Sequence, residues 1–118
     1  MINVWREFGQ EMLLKTKDES SVLSLIIMGV QEDVRVRVAG DINDFSFLVL
    51  KGICISRKPD FQIFTINRNG QLNLTHHNSG QVMKVKIADI RPRRDVTFHI
   101  THSENLTAIR NELLGVTW

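Results

Sequence analysis

The residues best suited to chemistry are cations. Lys84 and Lys86 alternate with apolar neighbours, Arg91-Pro92-Arg93-Arg94 follows closely, and Arg57-Lys58 and His99 flank this stretch. Pro92 restricts the backbone within the arginine run. A guanidinium offers a fork of donors that matches phosphate oxygens, and clustered cations gain affinity by displacing counterions from a polyanion. Lys84, Lys86, Arg91, Arg93, Arg94, Arg57, Lys58 and His99 therefore form the candidate anion- or nucleic-acid-binding set. Lys84 and Lys86 alone fit equally a solvated strand face that discourages edge pairing. With no Tyr, and most of the six Phe alternating into apolar faces, contacts would fall on phosphates rather than on stacked bases.

Other chemistries find less support. The phosphate-cradling glycine loop, the Gly-x-Ser-x-Gly elbow and the His-Glu-x-x-His zinc motif are all absent from the sequence, so no catalytic residue is assigned. His76 and His77 are adjacent and face opposite ways on a strand, while His99 and His102 straddle the end of another. No metal or other cofactor is expected from them. Cys54, between Ile53 and Ile55, lacks a neighbouring base and reads as a small apolar residue. Asp41, Asp44 and Asp60 sit in turn-like segments where local hydrogen bonds account for them.

The net charge of +2 conceals a sharp division. Residues 1–50 carry five cations against eight acids, residues 51–94 nine against two, and residues 95–118 one against three. The basic middle motivates a binding function. At 118 residues and 42% hydrophobic composition the chain suits a single domain spanning 1–118. A lone cysteine and a start lacking the pattern of a secretory signal lead to an expected cytoplasmic location. The longest apolar run, Val22 to Val30, is too short for a membrane-spanning helix.

Positioning these side chains falls to elements read from periodicity. Trp5, Phe8 and Met12 at spacings of three and four predict an amphipathic helix over 3–16. Residues 21–101 predict an antiparallel meander of about seven strands. A turn at Gln31-Glu32 sets Ile27 against Val36 and Leu25 against Val38, and a turn at Ile42-Asn43 sets Val38 against Phe45 and Val36 against Phe47. Asn69-Gly70 predicts a third hairpin that pairs Ile66 with Leu72, with Gly70 in the left-handed position. Val85 opposite Phe98 yields a face bearing Lys84, Lys86, Thr97 and His99. Leu106, Ile109, Leu113 and Leu114 predict a second helix over 103–115.

The expected class is thus α+β: a strongly bent antiparallel sheet or partly open barrel between two amphipathic helices. The element order resembles that of pleckstrin-homology-like folds, although no segment carries a family match. Arg35-Val36-Arg37 resembles part of the basic motif of lipid-binding members, which implies phosphoinositide or anionic-membrane contact. Met28-Gly29-Val30 departs from that motif where it places a lysine. The sequence reading favours a non-enzymatic module with a basic sheet face and a nucleic-acid partner. The alternative is a protein-interaction or assembly module. Ile26, Met28, Leu48, Leu50, Trp5 and Trp118 exceed the apolar surface that one sheet face and two helices bury. A two-layer core or a homodimer would cover them.

Overall fold

Burial alternates with a period of two along almost every segment, and this makes the chain a β protein. The computed structural model describes residues 2–16, 20–102, 106–110 and 116–117. Its strands are β1 (Ile2–Glu7), β2 (Glu11–Thr16), β3 (Val22–Val30), β4 (Asp33–Gly40), β5 (Phe45–Arg57), β6 (Phe61–His76), β7 (Val82–Arg91), β8 (Asp95–His102), β9 (Leu106–Arg110) and β10 (Val116–Thr117). A single 3-10 turn, Ile42–Asp44, joins β4 to β5.

All pairings are antiparallel, in the order β1-β8-β7-β6-β4-β3-β2-β9-β10, with β5 added on β6. The sheet curls until its ends nearly meet. β1 passes into β2 through Phe8–Gln10, whose backbone bonds to Ile27 of β3. The inward face is the core, built from Val4, Met12, Leu14, Leu25, Ile27, Val36, Phe64, Leu72, Val85, Phe98, Ile100 and their neighbours.

The α+β expectation is overturned at both ends. The residues of the expected helix 3–16 form β1 and β2, in which Val4 and Arg6, then Met12, Leu14 and Thr16, point inward. Trp5 and Phe8, which supplied the helical spacing, are exposed at 46% and 70%. Of the expected helix 103–115, Leu106–Arg110 is a strand paired with β2, and residues 103–105 and 111–115 lie outside the described residues. The likeness to a pleckstrin-homology element order, which ends on a helix, lapses with it.

Two expected hairpins also resolve differently. The β3–β4 register is as read, Ile27 opposite Val36 and Leu25 opposite Val38. β4, however, lies against β6, with Val36 opposite Phe64, while the segment from Phe45 pairs on β6 as well. The turn anchored by buried Ile42 carries the chain across to the far edge of β6. Asn69-Gly70 does not reverse the chain, because β6 continues through it for 16 residues. Ile66 faces Gly52 and Leu72 faces Val49. Val85 lies opposite Ile100 and Ile87 opposite Phe98, a shift of two residues that keeps every side chain on its expected face.

β6 holds the fold together. β5 pairs with one edge on both sides of the bend, Leu50 reaching Gln71 and Gly52 reaching Ile66. The other edge is shared, β4 pairing with Phe61–Asn67 and β7 with Gln71–Thr75. Between these stretches the β5–β6 ribbon bends. Lys51 (φ 52°) and Asn69 (φ 64°) adopt left-handed backbone there, and the register shifts between Leu50 and Gly52. The bend demands close approach. A Cβ on Gly70 would stand 2.6 Å from Ile66 Cγ2 and 2.8 Å from the Lys51 carbonyl oxygen, and one on Gly52 would stand 2.4 Å from the Thr65 carbonyl oxygen. Gly52→Ala and Gly70→Ala are each expected to lower stability by about 1–3 kcal/mol, the range for overpacking a tight site. Denaturant unfolding measures this, and a change under about 0.5 kcal/mol, the size usual for surface substitutions, would contradict the account of the bend.

Candidate functional site

The bend separates the cations that the sequence groups together. Lys84 and Lys86 are exposed on the outer face of β7, Lys84 between Asn73 and Thr101 and Lys86 between Gln71 and His99. Arg91, Arg93 and Arg94 lie at the β7–β8 turn, which docks on the end of β3 through the Arg93 N–H and the Val30 carbonyl (2.8 Å). Arg57 ends β5 opposite Gln62, and Lys58 begins the turn after it. Gln62 and Gln71, which mark the Arg57 and Lys86 rows on β6, lie on opposite sides of the bend. The structure therefore brings Lys84, Lys86 and His99 together, places the Arg91–Arg94 turn at one end, and sets Arg57-Lys58 apart.

Two cations of the basic middle are neutralised locally. Arg68 pairs with Asp89 at 2.9 Å and donates to the Ile90 carbonyl at 3.0 Å. Arg91 holds Asp95 through both nitrogens of its fork, with Nε to Oδ1 at 2.8 Å. The Asp95 carboxyl titrates below the usual carboxylate range. The hydrogen bond from Arg91 is the main cause, and it outweighs the opposing effect of burial. The Arg91 charge, a hydrogen bond from the Trp5 side chain and the Arg94 charge add to it. Arg91 is correspondingly raised. Arg35 and Arg37 project from β4 on the other side of the bend, with the Arg37 guanidinium 4.7 Å from the Phe61 ring centre.

A serine, a histidine and an aspartate do meet, but in an order that disfavours catalysis. The Ser21 hydroxyl donates to Asp44 Oδ2 (2.7 Å) and lies 3.3 Å from His76 Nε2, while His76 Nδ1 lies 2.8 Å from the Ser79 hydroxyl. With its proton directed to Asp44, Ser21 accepts from the Nε2–H of His76, so the imidazole is not poised as its base. Ser21 and His76 are buried and Asp44 is half-buried, and the cluster clasps the start of β3, the 3-10 turn and the end of β6. Local turn bonding does not account for Asp44, because its partner is distant in sequence. His77 is exposed and meets Ser46 at 2.7 Å. Cys54 is half-buried against the core.

The most conspicuous surface is the one that charge counting passes over. β5 is 13 residues long, and among the described residues it pairs with β6 alone. Its outward side chains include Leu48 (58% exposed), Leu50 (45%), Ile53 (62%) and Ile55 (42%). Leu48 and Leu50 stand out in the sequence as surplus apolar residues. Ile53 and Ile55 do not, because the backbone at Lys51 exchanges which parity faces outward. Met28 and Trp5 are also exposed, whereas Trp118 lies outside the described residues.

Among the described residues no group of three or more His, Cys, Asp or Glu is placed to hold a metal ion, and no helix is long and apolar enough to cross a membrane. No family model matches the sequence, and neither the characterised proteins nor the solved structures give a significant match.

The Arg91–Asp95 pair generates a pH dependence. A carboxyl lowered by folding stabilises the folded state fully above its unfolded value, and that contribution fades as pH falls through the lowered folded value. Thermal midpoints measured from pH 7 downward should drop along an acid limb that Asp95→Asn makes shallower. Identical limbs in the two proteins would contradict this assignment.

Proposed function

We propose that the chain is a non-catalytic protein-interaction module that binds by accepting an additional strand along β5. The observation that carries this reading is the outer edge of β5, unpaired among the described residues, with exposed Leu48, Leu50, Ile53 and Ile55 beside it. An edge strand offers a row of unsatisfied N–H and C=O groups to any extended segment. Natural edges are usually short, charged or covered, and this one has a single charge, Lys51, between Phe45 and Ser56. Burying one large aliphatic side chain contributes roughly 1.5–3 kcal/mol, so four of them add appreciable affinity to the backbone bonds.

A labelled peptide of alternating Leu and Ile with acidic ends serves as the probe, followed by fluorescence anisotropy. It should bind, while the same peptide with proline at alternate positions, unable to donate ladder bonds, should not. Ile53→Lys should weaken binding at least about tenfold, or about 1.4 kcal/mol. Equal binding of the proline peptide, or no binding of either to the chain in its monomeric form, would refute the strand-accepting edge.

The Lys84–Lys86 face supports a second reading, contact with the phosphates of nucleic acid. Both lysines are exposed, and their cross-strand neighbours Asn73, Gln71, Thr101 and His99 are polar without being acidic. Two to three phosphate contacts correspond to a slope of roughly −2 to −3 in log affinity against log salt for duplex DNA. Lys84→Glu with Lys86→Glu should abolish binding, and a flat salt response in the unaltered chain would dismiss this reading.

A further inference from the structure

We propose that the strand β5 accepts is β5 of a second copy, paired antiparallel about a two-fold axis between Lys51 and Gly52. This rests on the strand-accepting reading of β5 and names its partner. The residues of β5 form a self-complementary series. Leu50 comes opposite Ile53 of the second copy, Leu48 opposite Ile55, and Ser46 opposite Arg57. All six side chains face outward, and directly opposed residues in an antiparallel pair share a face. Each apolar match occurs twice by symmetry, as an isologous interface requires.

The inward face matches too. Val49 comes opposite Cys54 and Phe47 opposite Ser56, so the partly buried Phe47, Val49 and Cys54 at the rim of the core are covered. The bends of the two strands coincide at the axis, and neither strand needs a new bulge. A shift of two residues either way spoils this, setting Leu50 against Lys51 or Leu48 against Arg57.

Charge selects the antiparallel arrangement and the second copy together. β5 is preceded by exposed Asp41 and half-buried Asp44, whose carboxylates accept from the Val22 N–H and the Ser21 hydroxyl, and it ends at Arg57, with Lys58 next in the chain. Antiparallel pairing lays the acidic approach of one copy beside the basic end of the other, whereas parallel pairing sets like charge on like. The two Lys51 side chains flank the axis and are the one repulsive element.

Sedimentation over a wide concentration range tests the proposal, alongside disulfide trapping in chains carrying Cys54→Ala. Dimers are expected, with Ile53→Lys or Leu48→Lys raising the dissociation constant at least about a hundredfold. Both positions are exposed in the single copy, so the variants should keep the unaltered circular dichroism. A mixture of Leu50→Cys and Ile53→Cys chains should cross-link on oxidation, whereas neither chain alone should, because like positions lie too far apart across the axis for a disulfide. A dimer unaffected by either lysine, or cross-linking of each single-cysteine chain as fast as the mixture, would overturn the register. A chain that stays monomeric at the highest concentration overturns the second copy as partner. If that chain still binds the alternating peptide, the edge itself stands, and if it binds neither, both readings fall.

Discussion

A β-strand has two hydrogen-bonding edges, and the way β6 uses its two determines the molecule. One edge is occupied by β5 on both sides of the bend; the other is divided between β4 and β7. β4 leads through β3 to β2, and β7 leads through β8 to β1, so the two branches from β6 come back together at the Phe8–Gln10 link. Near-closure follows from that division and from the bend that makes it possible, where Gly52 and Gly70 admit the opposing backbone. β5 lies outside the circuit. It completes one edge of β6 and is left with its own outer edge unpaired among the described residues. Closure removes exposed edges in most barrels, whereas here the sheet stops just short of closing and β5 remains outside its circuit.

Electrostatics are handled locally. The basic middle of the sequence loses Arg91 to Asp95 and Arg68 to Asp89, and the bend distributes much of the rest among a sheet face, a turn and the end of β5. What remains exposed as a coherent feature is the apolar pairing of Leu48, Leu50, Ile53 and Ile55, with cations at one end of the strand and acids before its start. A net charge summed over a segment describes neither arrangement.

The parts of the fold legible in the sequence are those where two alternating strands are joined by a short turn. Leu25 to Ile27 and Val36 to Val38 were sufficient to establish a register, and Lys84, Lys86 and His99 declared their common face. The N-terminal strands were illegible because their inward set includes a charge, Arg6, while Trp5 faces outward and Phe8 is exposed in the link between them, which inverts the usual pattern. The guanidinium of Arg6 is accommodated by the carbonyl oxygens of Trp5 and Glu11, contacts that no spacing announces. Asn69-Gly70 correctly signalled a left-handed backbone, at Asn69 rather than at Gly70, but that conformation bends a strand as readily as it reverses one. Only the presence of β5 across the bend, set by contacts distant in sequence, distinguishes the two outcomes. The β5 surface was half legible, Leu48 and Leu50 standing out while the change of parity at Lys51 hid Ile53 and Ile55.

The architecture turns on β6 being paired on both edges while β5, among the described residues, is paired on one. Residue-resolved amide hydrogen exchange by NMR on the Ile53→Lys chain, which carries a charge on the proposed docking edge, examines this directly. Protection is expected along both Phe61–Asn67 and Gln71–Thr75, with alternation along β5, where amides directed at β6 exchange slowly and those directed outward exchange fast. Uniform protection throughout β5, or rapid exchange throughout either half of β6, would contradict it.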